Sequence, residues 1–290
     1  MRTSMRWACL LLSLPAVGPL AAQTRYVRFE RDGWIAYGIV QDETIRELRG
    51  DLLQAPQPTG RMFAVADVAL LAPIDPATVH KVIGVAVNTL GAGRDGPIPH
   101  PRFFAKFPTS IVGPEDGVEL PAEAGNLNYE GELVLVIGRE GRHIPEAEAL
   151  DYIFGVTVGN DFSENTWYGE RQGSDEPTRL ISKGTDSWAP IGPAIVTGID
   201  FTDLPVLVRL NGEVVQQGRT SELANKVPAL IAYISRYVTL EPGDLIFTGT
   251  VGRVAGARRA MQAGDVVEVE IPGIGLLRNH IVPMSGERIP

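Results

Sequence analysis

Cysteine is almost absent: Cys9 is the single one in 290 residues. It sits in the opening stretch "MRTSMRWACLLLSLPAVGPLAAQ", where Arg2 and Arg6 precede an apolar run from Trp7 to Leu20 and the small pair Ala21-Ala22. That is the three-part pattern of a secretory leader cut after Ala22. No long unbroken apolar run is present either. Ser13, Pro15 and Pro19 interrupt this one, which falls short of the roughly 20 residues needed to span a bilayer. Cys9 is too far from the small-residue site to carry a lipid. The expectation is an exported chain, periplasmic or secreted, with no membrane partner once residues 1–22 are removed. Without Cys9 the mature chain has no thiol nucleophile, no Cys-ligated zinc and no disulfide.

Basic runs are missing too. The chain has 26 basic and 35 acidic residues, net −9, and losing Arg2 and Arg6 would leave 24 basic residues and a net charge of −11. No stripe exists to follow a phosphate backbone, which excludes nucleic acid as a partner. Histidine is scarce, and His80, His100, His143 and His280 show no metal-ligand spacing. There is no G-x-S-x-G nucleophile elbow. The short "GAG" and "GIG" runs do not open a helix in a dinucleotide-binding unit.

The composition that remains, 44% hydrophobic and 21% charged, is that of a globular protein with a large core. "RYVRFERDGWIAYGIVQDETIREL" reads as short strands around a hairpin at Arg31-Asp32-Gly33. A small β-rich unit is expected over 23–75, ending in a linker at "LLAPIDPATVHK" with Pro73 and Pro76. The larger unit, 76–290, holds the buried strands "KVIGVAV", "GELVLVIG", "GVTVGND", "DLIFTGT" and "DVVEVEI". "PEAEALDYIFG" predicts a helix with Pro145 in its first turn. "TSELANKVPALIAYISRY" predicts a helix interrupted by Pro228. Strands dominate and no βαβ rhythm repeats, so the fold class is α+β, mostly β.

Candidate chemistry lies at strand ends. In "NYEGELVLVIG", Glu130 and Glu132 sit two apart and share a strand face. Asp161 ends another apolar strand. Three converging carboxylates would make a hard-oxygen site for a cation such as Mg2+; the alternative is a set of solvated strand ends. Lys183, near Asp186, reads either as a surface ion pair or as a cation for an anionic substrate. Thr248-Gly249-Thr250 reads either as a tight turn or as donors for a substrate carboxylate.

In order along the chain, "NYEGELVLVIG", "GVTVGNDFS", "KGTDSWAPIGP", "NGEVVQQGRT" and "TLEPGDLIFTGT" resemble the fumarylacetoacetate hydrolase family over about Lys81 to Val282. The front part is similar to the small N-terminal domain of many bacterial members. The resemblance implies a mixed β-sandwich or roll, usually a homodimer. It implies Mg2+, or Mn2+ or Ca2+, on Glu130, Glu132 and Asp161, with Lys183 beside the ion. Thr250 and Gly249 would meet the carboxylate of a small anionic 2-oxo acid, and Gln216, which matches the family's hairpin glutamine, would join them in binding the substrate.

The chain departs from the pattern where many members carry Asn-Tyr-x-x-His-x-x-Glu, a dyad that activates water. Here Thr89 replaces the Tyr, Ala92 the His and Asp95 the Glu, while Asn165 stands where an Arg is usual. Asp95 and His100 are the candidate replacement bases. The main expectation is a metal-dependent hydrolase that cleaves a C–C bond of an acylpyruvate through an enolate. A decarboxylase, lyase or tautomerase on the same substrate class is the alternative. A non-catalytic binder of metal or oxo acid is the third.

Overall fold

A computed structural model describes residues 23–91, 95–168, 179–252 and 259–284. The strands Thr24–Arg31 and Trp34–Gln41 form the expected hairpin, turning at Asp32-Gly33. Thr44–Arg49 and Gln57–Ala64 continue it outward. On its other side Thr24–Arg31 pairs antiparallel with Ala189–Thr197. One sheet therefore runs through both units. After Ala189–Thr197 it continues with Ile153–Asn160, Gly131–Ile137, Leu245–Phe247, Val82–Ala86 and Arg102–Lys106.

A second sheet has the order Glu213–Arg219, Pro205–Leu210, Val266–Ile271, Gly275–Pro283, Gly117–Leu120. The two sheets pack through one apolar cluster, in which Leu133, Leu135 and Val158 of the first sheet join Val208, Val269 and Leu277 of the second. The architecture is mostly β in layered sheets, with few and short helices.

Gly131–Ile137 lies at the centre, and every residue in it is buried. Its odd positions Leu133, Leu135 and Ile137 belong to the inter-sheet cluster, while Val134 and Val136 belong to a second cluster on the opposite face. A strand buried on both faces reads as an unbroken apolar run, which is why "LVLVI" shows no alternation. A β-carbon on Gly131 would come within 2.4 Å of Val208, so glycine is what lets the second sheet close here. Glu132 shares the other face with Val134 and Val136.

Three local expectations are corrected. The 145–155 stretch forms a 3-10 helix, Glu146–Tyr152, and then enters the strand Ile153–Asn160. The β-branched and aromatic residues after Asp151 favour the sheet over another helical turn. Pro228 opens the α-helix Val227–Ser235 instead of interrupting it. Its missing N–H costs nothing in a first turn. The expected linker is built into the fold. Ala69–Leu71 pairs with Thr24–Arg31, and Ile74 and Val79 are buried.

Candidate functional site

Register brings the carboxylates together. Gly131 faces Asn160 across the antiparallel pair, so the start of one strand meets the end of its neighbour. Asp161 N–H donates to Glu130 O at 2.8 Å, and Glu130 N–H donates to Asn160 Oδ1 at 2.9 Å. Glu130, Glu132 and Asp161 each offer an oxygen, all within 4.8 Å of one another. Glu132 and Asp161 are only 2% exposed. These are not solvated strand ends.

Two lysines compensate part of that charge. Lys183, in the helix Leu180–Gly184, reaches Glu130 Oε2 at 2.6 Å and Asp161 Oδ2 at 2.5 Å. Asp186, its neighbour in sequence, is exposed. From below, Lys106 Nζ lies 2.7 Å from Asp161 Oδ1 and donates to the carbonyls of Phe162, Lys183 and Trp188. Burial would raise the Asp161 carboxyl, but the two ammonium groups outweigh it and the net shift is downward. Burial pushes Lys106 down to about 8. Glu132 goes the other way. Burial first, then the charges of Asp161 and Glu130, hold it well above the ordinary carboxylate range. Glu132 Oε2 accepts a hydrogen bond from Gly249 N–H at 2.8 Å.

Buried carboxylates that repel one another fit a hard divalent cation, which would neutralise them directly. The all-oxygen donor set suits Mg2+, Mn2+ and Ca2+ alike.

The cage forms one wall of a cavity of about 600 Å³. Val85, Ala86 and Phe104 give it an apolar side, and Thr250, Ser163, Asn165, Lys183 and Arg179 give it polar groups. Gly249 turns its amide to Glu132. Its φ is +106°, and a β-carbon there would meet that of Asn88 at 2.8 Å, so this turn requires glycine. Gln216 is buried away from the cavity lining. It brackets Gly131 and donates to Thr250 Oγ1 at 2.6 Å and Val251 O at 2.7 Å. The expected contact of Gln216 with substrate is not seen in its surroundings: its side chain reaches Thr250, which lines the cavity, and is not itself among the described lining residues. Because the Thr250 oxygen accepts from Gln216, its own proton is left to donate into the cavity.

The opposite rim differs. Asn88 is tied to Thr248 O and Asn225 O at 2.9 and 3.0 Å, and the Thr89 hydroxyl donates to Thr250 O. Asp95 and His100 are exposed, and neither is among the described residues that line the cavity. His100 Nδ1 lies 3.4 Å from Tyr233 Oη instead. The structure therefore does not bring either candidate base to the cage. Ala92 lies outside the described residues.

Lys106 and Arg179 are the residues the sequence reading missed. Lys106 carried a signal: in "RFFAKF" it is in phase with Phe104, and both side chains are buried. A lysine on the inward face of a strand needs a charged partner. Arg179 carried no comparable signal.

Comparison with known proteins follows the geometry. Residues 81–282 match the family described as fumarylacetoacetate (FAA) hydrolase, C-terminal, and residues 24–73 match Rv2993c-like, N-terminal. Protein Rv2993c of Mycobacterium tuberculosis (strain ATCC 25618 / H37Rv) is 39% identical over 253 residues, covering 84% of this chain and 90% of its own. An oxaloacetate tautomerase, the mitochondrial fahd2 of Xenopus laevis, is 37% identical over 226 residues, 75% of this chain and 69% of its own. The crystal structure of a 2-hydroxyhepta-2,4-diene-1,7-dioate isomerase from Mycobacterium marinum superposes with a TM-score of 0.80 at 37% identity, covering 91% of this chain and 100% of its own. With both of its units matched and its carboxylates meeting at one strand end, this chain belongs to the fumarylacetoacetate hydrolase family.

Proposed function

We propose that the protein is a divalent-metal-dependent tautomerase or isomerase of a small 2-oxo acid. The carrying observation is the composition of the cavity. A three-carboxylate cage and its lysine are complete, yet none of the described lining residues is a histidine. Moving a proton between carbon and oxygen needs no activated water, whereas hydrolysis does. The relatives support this direction, since one is an oxaloacetate tautomerase and another a dienedioate isomerase.

When bound, the cation supplies Lewis acidity to the 2-oxo and carboxylate oxygens. The chain's own residues do the rest. Lys183 holds its ammonium beside Glu130 and Asp161, so charge developing on a substrate oxygen there meets a positioned cation. Thr250, set by Gln216, donates to the substrate carboxylate. Val85, Ala86 and Phe104 keep that side of the cavity dry. Hydrolysis of a longer acylpyruvate is the second reading, favoured by a cavity of about 600 Å³ that exceeds the needs of a four-carbon acid. Homodimer assembly and export with cleavage after Ala22 complete the proposal. Light scattering and mass spectrometry of the N-terminus, expected near Gln23, check them.

The test follows the ultraviolet absorbance of enol-oxaloacetate with Mg2+-loaded protein. Acceleration that disappears with chelator supports the reading. No acceleration by the loaded protein sinks it. Product analysis separates the competitors: decarboxylation releases CO₂, and C–C hydrolysis releases two acids.

A further inference from the structure

We propose that Lys106 is a positioning residue that takes one oxygen of Asp161 out of the cage, and so selects a small octahedral cation such as Mg2+ over Ca2+. This rests on the cation of the proposed function, not on the reaction proposed there.

Lys106 ends the strand Arg102–Lys106, and its side chain is fully buried. A lysine has three N–H donors. Here they go to the carbonyls of Phe162, Lys183 and Trp188, the first at 3.1 Å and the last at 2.9 Å. Those carbonyls belong to three segments: the turn after Ile153–Asn160, the helix Leu180–Gly184 and the approach to Ala189–Thr197. The ammonium is therefore fixed by backbone and is not free to follow a moving carboxylate. Asp161 Oδ1 lies against it at 2.7 Å and is itself buried. Asp161 Oδ2 instead meets Lys183 at 2.5 Å. Lys183 lines the cavity, and Lys106 is not among the described lining residues. Asp161 thus keeps one oxygen in the core and offers the other to the site.

Donor type alone does not choose among divalent cations, but the number of oxygens does. Ca2+ gathers about 6–8 of them and readily takes both oxygens of a carboxylate, whereas Mg2+ demands an octahedron and keeps waters or substrate oxygens in it. Glu132 repeats the pattern of Asp161, since its Oε2 is held by the Gly249 N–H at 2.8 Å. Two of the three cage carboxylates are therefore presented as single-oxygen ligands. At Glu132 the partner is backbone, so Lys106 is the side chain through which the count can be changed. Affinity is not what Lys106 adds, because an ammonium this close to the cage repels any cation placed there. Its effect is on which cation fits.

Calorimetry with MgCl2 and with CaCl2 on the metal-free full chain tests this. The wild type should bind Mg2+ more tightly than Ca2+. Lys106→Met releases Oδ1 and should move the ratio of the two affinities toward Ca2+ by at least about tenfold, the lower end of what partners of metal ligands contribute. Loss of a positive charge by itself would strengthen both ions alike and leave the ratio unchanged, so the ratio separates positioning from charge compensation. Lys106→Gln keeps N–H donors for the carbonyls and should shift the ratio the same way by less, which covers the case of a methionine variant that does not fold. A wild type that prefers Ca2+, a ratio that stays put in a folded variant, or failure of both variants to fold overturns the inference. A shifted ratio without tautomerisation would leave the inference standing and remove the proposed function. Tautomerisation with an unshifted ratio would do the reverse. Binding of neither ion to the wild type overturns both.

Discussion

The two sides of the cavity are built by different means. The cage side stands on Gly131–Ile137 and Ile153–Asn160, strands in the middle of the sheet. Asp161 has two lysine partners, Glu130 has its backbone tied to the next strand, and Glu132 is met by Gly249. The other side follows Ala86 out of the sheet. Val87 takes a φ of 57°, rare for a β-branched residue, and it is 50% exposed. Past Asn88 and Thr89 the chain leaves the packed interior, and Asp95 and His100 face solvent. The core dictates where the three carboxylates and their lysines sit, and so where the proposed ion and 2-oxo acid would bind. It does not dictate what moves the proton. Relatives named as tautomerase and isomerase are what a family with one fixed and one free side would produce.

The strongest way to break this contrast lies in the cage. Asp161→Ala should abolish Mg2+ binding and strip the buried Lys106 ammonium of its carboxylate, while Lys183 keeps Glu130, at a cost of roughly 3–5 kcal/mol in stability. Glu132→Ala should also abolish Mg2+ binding, yet leave the metal-free protein at least as stable, because it removes a charge that burial opposes. Equal destabilisation in a denaturant titration would contradict the distinction between them.

Next comes Lys183→Met. Removing a preorganised cation from the reacting oxygen should lower kcat about 100-fold, while Mg2+ affinity holds or rises. A parallel loss of metal binding would make Lys183 structural.

A smaller effect comes from pH. Glu132 is held above the usual carboxylate range, and a dication takes only its ionised form. Mg2+ affinity should therefore fall with pH, starting above the range of ordinary carboxylates, by up to about tenfold per unit. For the metal-free protein the sign reverses. Protonation relieves the buried charge, so stability rises as pH falls through the raised value, and bound Mg2+ should abolish that rise. A flat Mg2+ titration between neutral and mildly acid pH would exclude this account. Last, Asp95→Asn and His100→Gln should change turnover by no more than about twofold, as exposed positions do. A larger loss would bring one of them back to the chemistry.

The large strands were legible because their apolar runs exceed what a turn or a surface tolerates. "LVLVI" and "VTV" could hardly lie elsewhere than in a sheet interior. The cage was half legible. Spacing put Glu130 and Glu132 on one face, but their closeness to Asp161 depends on the Gly131–Asn160 register, which the sequence does not print. Burial separated the readings left open, since a solvated E-x-E and a metal cage look identical as letters. The place of Gln216 was not legible, because an amide that holds a threonine and one that holds a substrate carry the same signature. Arg179 stayed invisible because its relation to Lys183 depends on a short helix that the local sequence does not announce. The leader lies outside the described residues, and its reading remains a proposal.

The pairing of Thr24–Arg31 with Ala189–Thr197 has a consequence for how the chain stays dispersed. Without residues 23–75, the strand Ala189–Thr197 would offer its hydrogen-bonding edge to any extended peptide, including another copy. The front unit moves that edge outward to Gln57–Ala64, where nearly every residue is exposed and Pro58, Gly60 and Arg61 discourage further pairing. A chain begun at residue 76 should scatter light at concentrations where the whole protein stays clear. The small unit is then a guard on the sheet, and trimming it would yield a stickier protein, not a minimal one.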